Sequence, residues 1–113
     1  MTDRDREIFN RYKTKLVQDI ADYYELILFP KTKNLEHELE CTQKAAIDSL
    51  SGITHLAEKH PELRSEAIDY IDTIISLCNH NYHIYKVRNS ASPIPTLKFA
   101  KADLEALRDK DRK

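Results

Sequence analysis

Two short spacings in this chain bring metal-ligating side chains within reach of each other. His37 and Cys41 stand four apart, and His80 and His83 three apart. On an α-helix either spacing places both side chains on one face, where they can share a cation such as zinc. Cys78 precedes the second pair, but at the helical pitch it points about 200° away from His80, so those two do not meet on one ion. No third or fourth ligand is evident for His80 and His83. The di-iron pattern of helical bundles needs two copies of Glu-x-x-His. Here the residues three before the histidines are Asn34, Gly52, Ala57, Leu77 and His80. No metal and no cofactor is therefore expected.

Nucleophilic and phosphate chemistry find still less. There is no phosphate loop and no Gly-x-Ser-x-Gly, and the chain has one glycine. Ser, His and Asp occur without a spacing that gathers them. A non-enzymatic protein with no small-molecule substrate is the expectation. The six tyrosines are Tyr12, Tyr23, Tyr24, Tyr70, Tyr82 and Tyr85. Tyrosine suits a half-buried site, with its ring in the core and its hydroxyl at the edge, and it is also enriched at interfaces. Tyr23, Tyr24, Tyr82 and Tyr85 are the candidates for an oligomer or partner interface.

The elements that hold these residues all read as helices. At 113 residues the chain is one domain with a modest core. One glycine and no tryptophan fit an all-α chain, since tight hairpins usually need more glycine. The central stretch is Glu62 to Arg88, where Leu63, Ala67, Ile71, Ile74, Cys78, Tyr82 and Tyr85 recur at steps of three and four. A second row, Ile68, Ile75 and Leu77, widens that stripe until the helix must touch more than one neighbour.

Before it, Ile8, Tyr12, Leu16, Ile20, Tyr23 and Ile27 form the stripe of a first helix over residues 3–29. Thr2 or Asp3 caps it and Pro30 stops it. Its Leu26–Phe29 end is apolar all round and is expected to be the more deeply buried. A second helix over 34–60, capped at Asn34, carries Leu35, Leu39, Ala46, Leu50, Ile53 and Ala57. The small residues Ser49, Ser51 and Gly52 midway suggest a close helix–helix crossing or a local kink rather than a ligand site. The turn at His60-Pro61 is short, so the third helix, 61–88, lies antiparallel to the second. After the loop Asn89–Thr96, a last helix over 96–110 carries Leu97, Ala100, Leu104 and Leu107. The sum is an antiparallel four-helix bundle.

Charge is plentiful and uneven. A third of the residues are charged, yet the formal net charge is −1, which argues against a generic nucleic-acid binder but leaves room for a local basic patch. The third helix is acidic, with Glu62, Glu66, Asp69 and Asp72 against Arg64 alone as far as Tyr85. From Lys86 onward the balance reverses. Lys86, Arg88, Lys98, Lys101 and Arg108 are the candidates for contacting nucleic-acid phosphates. Arg4, Arg6, Arg11, Lys13 and Lys15 form a second basic group interleaved with acids. No apolar run approaches the roughly 20 residues that span a bilayer, and the charged opening TDRDRE lacks the core of a signal peptide. A cytoplasmic protein with reduced Cys41 and Cys78 is expected.

The order of features resembles one superfamily. A helix ends at Leu28-Phe29-Pro30. A second has small residues midway, at Ala45-Ala46 and Ser49 to Ile53. A long third helix follows, then a loop and a last helix with Leu-x-x-Leu-Arg at Leu104 to Arg108. This resembles the small four-helix bundles that include the accessory variability determinant of diversity-generating retroelements and the ribosomal intervening-sequence proteins. The resemblance spans about Tyr12 to Arg108. It implies an antiparallel bundle in a homo-oligomeric ring, a pentamer in that family, without catalysis of its own. It also implies service to a reverse transcriptase and its RNA or DNA through a basic surface. The chain departs from that pattern in its slight net acidity and its short last helix. The alternative is a protein-only interaction module, an adaptor, inhibitor or phage-type antagonist, that uses the acidic third helix or the tyrosines.

Overall fold

A computed structural model describes the backbone of residues 2–29, 33–85 and 93–111, together with their side chains except Leu28 and residues 81–85. The elements are α1, Asp3–Leu28; α2, Leu35–Lys59; a 3-10 turn, Pro61–Leu63; α3, Arg64–Tyr85; and α4, Ile94–Asp111. The fold is an all-α bundle in which α1 packs most extensively on α2, and α3 on α4. Its extents of 50 × 27 × 18 Å fit helices of up to about 39 Å laid in two layers.

Local chemistry sets the ends. The Thr2 hydroxyl accepts from the Asp5 N–H at 3.1 Å, opening α1 as a side-chain cap. The helix closes with the Phe29 N–H on the Glu25 carbonyl at 2.8 Å. At the other turn, the His60 N–H bonds to the Leu56 carbonyl at 2.9 Å, and Pro61 begins the 3-10 turn. A proline is tolerated there because a first-turn N–H has no partner within the helix. For the same reason Pro95 fits inside the first turn of α4, which opens at Ile94 rather than at the expected residue 96.

The core is continuous through all four helices. It includes Leu16, Ile20 and Tyr23 of α1, Ala46, Leu50, Ile53 and Ala57 of α2, Ile71, Ile74 and Cys78 of α3, and Leu97 and Leu104 of α4. The expected crossing at the small residues is present. The Tyr12 ring lies over Gly52 so closely that a β-carbon there would sit 2.6–2.7 Å from it.

Two expectations need correction. The Leu26–Phe29 end of α1 is not the deeper one: Leu26 and Ile27 are half-buried, and Phe29 is 65% exposed. The reason lies in α4. Its first turn meets α1 and α2 midway, where Pro93, Thr96 and Leu97 share a crevice with Leu16, Ile20, Ala46 and Leu50. From there α4 runs back toward Arg64, away from the last turns of α1. Leu77, placed on the widened stripe of α3, is instead exposed.

Candidate functional site

The basic residues expected to meet nucleic acid fall into four situations. Lys86 and Arg88 lie outside the described residues. Lys101 is spent within the molecule: its Nζ donates to Asp72 Oδ1 of α3 at 2.7 Å and approaches Glu105 at 3.8 Å. The hydrogen bond to Asp72, with the charges of Asp72 and Glu105, raises its pKa above the ordinary lysine value. Arg108 is half-buried, and its Nε is enclosed without a hydrogen-bond partner among the described residues. Lys98 is exposed.

Beside Lys98 stands Phe99, which is 73% exposed, a large apolar ring turned outward. Ala102 and Ala106 follow at steps of three and four and are exposed as well. This spacing sets the three on one face of α4. Lys98, Asp103, Asp109 and Lys110 are also exposed and flank it. Sequence reasoning missed this stripe because it followed the inward face, Leu97, Ala100, Leu104 and Leu107. The signal was available: Phe99 falls off the inward period in an otherwise amphipathic helix.

The tyrosine assignment is corrected in part. Tyr23 and Tyr24 are buried in the chain's own core. Their rings meet edge to face at a centroid distance of 5.3 Å, and the Tyr24 hydroxyl donates to the Cys78 carbonyl at 3.4 Å. Neither leaves a face for a partner. They are buried because α1 faces both α2 and α3, which the single stripe of α1 did not convey. Burial pushes the Tyr23 hydroxyl up to about 12 and the Cys78 thiol up to about 11. Tyr82 and Tyr85 lie on the last turn of α3, and their side chains are outside the described residues.

Four of the five residues of the second basic group, all but the exposed Arg4, are engaged in pairing. Glu66 of α3 accepts from both Arg6 and Lys13 of α1, with Lys13 at 2.9 Å. Both cations also lie over the Phe9 ring, Arg6 at 5.9 Å and Lys13 at 5.4 Å from its centroid. Arg11 pairs with Glu7 at 2.7 Å and Lys15 with Asp19 at 3.2 Å. Burial acts to raise the Glu66 pKa, but the hydrogen bonds from Arg6 and Lys13 outweigh it and hold the carboxyl below the usual range. The acidic α3 is therefore largely the internal counterpart of basic side chains on α1 and α4.

Arg64 makes a comparable junction at the end of α2. Its Nε and one terminal nitrogen donate to the Ala57 and Glu58 carbonyls at 3.0 and 2.7 Å, and its other terminal nitrogen pairs with Asp111 of α4. It supplies donors to carbonyls that the helix leaves unpaired at its end.

Among the described residues no three His, Cys, Asp or Glu side chains converge as a metal site, and no helix is long and apolar enough to cross a membrane. Comparison with family models, curated proteins and solved structures finds no match for this chain.

Proposed function

We propose that this chain is a non-enzymatic accessory protein that works by association, with the outward face of α4 as its contact surface. The observation that carries the reading is Phe99, a phenylalanine about three-quarters exposed, at 73%, on a helix whose other face buries Leu97 and Leu104. Apolar surface so displayed is stabilised when a partner covers it. The exposed Lys98 next to it adds the chemistry of a nucleic-acid strand, a cation for a phosphate beside a ring on which a base can stack. The basic rim expected from the sequence rests, among the described residues, on Lys98, since Lys101 pairs with Asp72 and Glu105 and Arg108 is half-buried. The reading agrees with what the resemblance to the accessory variability determinant implies: a homo-oligomer, a pentamer on that pattern, serving a reverse transcriptase and its RNA or DNA. The cytoplasmic location expected from the sequence is part of the same proposal.

The test is binding of a fluorescent single-stranded RNA to the full chain. Binding is expected at about 50 mM salt and release at a few hundred millimolar. Phe99→Ala and Lys98→Glu are each expected to weaken it about tenfold, consistent with about 1–3 kcal/mol for one base stacked on an aromatic ring. Both positions are exposed, so circular dichroism should be unchanged. Absence of binding at low salt overturns the nucleic-acid part.

The second reading is a protein-only interaction module. It is favoured by the pairing of Lys101 with Asp72 and Glu105, which removes one cation from the rim. On this reading Phe99→Ala abolishes capture of a protein partner while RNA has no effect.

A further inference from the structure

The spacing of His37 and Cys41 allows a shared cation, and the structure adds the distance. Cys41 Sγ lies 3.6 Å from His37 Nε2, and both side chains are exposed on α2. A tetrahedral zinc ion, with Zn–S about 2.3 Å and Zn–N about 2.0 Å, separates two such ligand atoms by about 3.5 Å. The pair therefore already stands at the edge length of a zinc tetrahedron. Glu36, Glu38 and Glu40 are exposed around it. Their charges offset the positive end of the helix dipole, which would otherwise oppose a cation in these first turns.

One chain supplies only two ligands, since no group of three forms among the described residues. We propose that His37 and Cys41 are half of a zinc site completed by the same pair from a second copy of this chain. The full set is two thiolates and two imidazoles about a local two-fold axis. In this site each Cys41 thiol loses its proton to solvent and its sulfur lone pair coordinates zinc; each His37 coordinates as neutral imidazole through Nε2. No electron is transferred. Two thiolates balance the dication, so the closed site is neutral, a favourable state at an interface between two copies. The site lies on α2 and does not rest on the α4 surface proposed above.

The experiment uses the full chain, purified without an affinity tag and kept in a non-thiol reductant so that a Cys41–Cys41 disulfide cannot form. Cobalt(II) is the probe, read by absorption, and zinc is then added for mass by light scattering. The expected result is a tetrahedral cobalt spectrum with a thiolate charge-transfer band that saturates at one ion per two chains. The zinc-loaded assembly should hold an even number of chains. Cys41→Ser and His37→Ala should each abolish the spectrum, whereas His80→Ala should retain it. Saturation at one ion per chain, persistence of the thiolate band in Cys41→Ser, or no tetrahedral spectrum at all overturns the proposal. An RNA-binding defect in Phe99→Ala would leave these readings unchanged, so the two proposals fail separately.

Discussion

At the scale of single residues, the contact of Tyr12 with Gly52 sets two preferences of the chain against each other. Glycine in a helix interior costs about 1 kcal/mol relative to alanine. A methyl group at position 52 would recover that, but it would meet the Tyr12 ring and push it off the face of α2. In the parent chain Gly52→Ala is therefore expected to give no gain and to cost up to about 1 kcal/mol. In a Tyr12→Ala background the same change should stabilise by about 1 kcal/mol. A denaturant-unfolding cycle of the two variants measures the difference, and additivity within about 0.3 kcal/mol would show that the contact does not decide the matter. The small-residue cluster made the crossing legible in the sequence. The identity of the ring that fills it was not, because Tyr12 and Gly52 are forty positions apart and no local pattern links them. Phe9 is a similar case. It lies off the α1 period yet is fully buried, beneath the Arg6 and Lys13 cations. Those cations are in turn held by Glu66 of α3, a partner that no local pattern reveals.

Between elements, charge ties α1 to α3. Glu66 is held by Arg6 and Lys13, and the Tyr70 hydroxyl donates to the Lys13 carbonyl close by. The folded-state pKa of Glu66 lies below its unfolded value of about 4.5. Its stabilising contribution is thus present in full above that value and is lost as pH falls through the folded one. Glu66 is about a third exposed, so solvent screening limits this to about 1 kcal/mol. Glu66→Gln is expected to lower stability by that amount at pH 7 and to flatten the fall in Tm between about pH 5 and pH 3. Calorimetry across that range checks it, and an unchanged slope would refute the assignment. The element boundaries were mostly legible because prolines and caps act locally, as Thr2 and Pro61 do. The acidic run on α3 and the basic run after Tyr85 were legible as composition. That they face each other, Asp72 to Lys101, was not, since the pairing is set by the bundle.

For the whole molecule, the helices pair as α1 with α2 and α3 with α4, and these two hairpins touch each other more sparingly. This division in space implies a division in time. Each hairpin closes on neighbours close in sequence and loses little loop entropy, whereas joining the two must wait for distant partners such as Glu66 and Arg6, or Tyr24 and Cys78. Native-state hydrogen exchange is expected to resolve two cooperative units. The α3–α4 hairpin, with its shorter last helix, should open at the lower free energy. A single opening energy shared by all four helices would show that the hairpins do not act independently. If they do, the folding transition state contains one formed hairpin, and substitutions at the Glu66 clasp will change the rate of unfolding far more than the rate of folding.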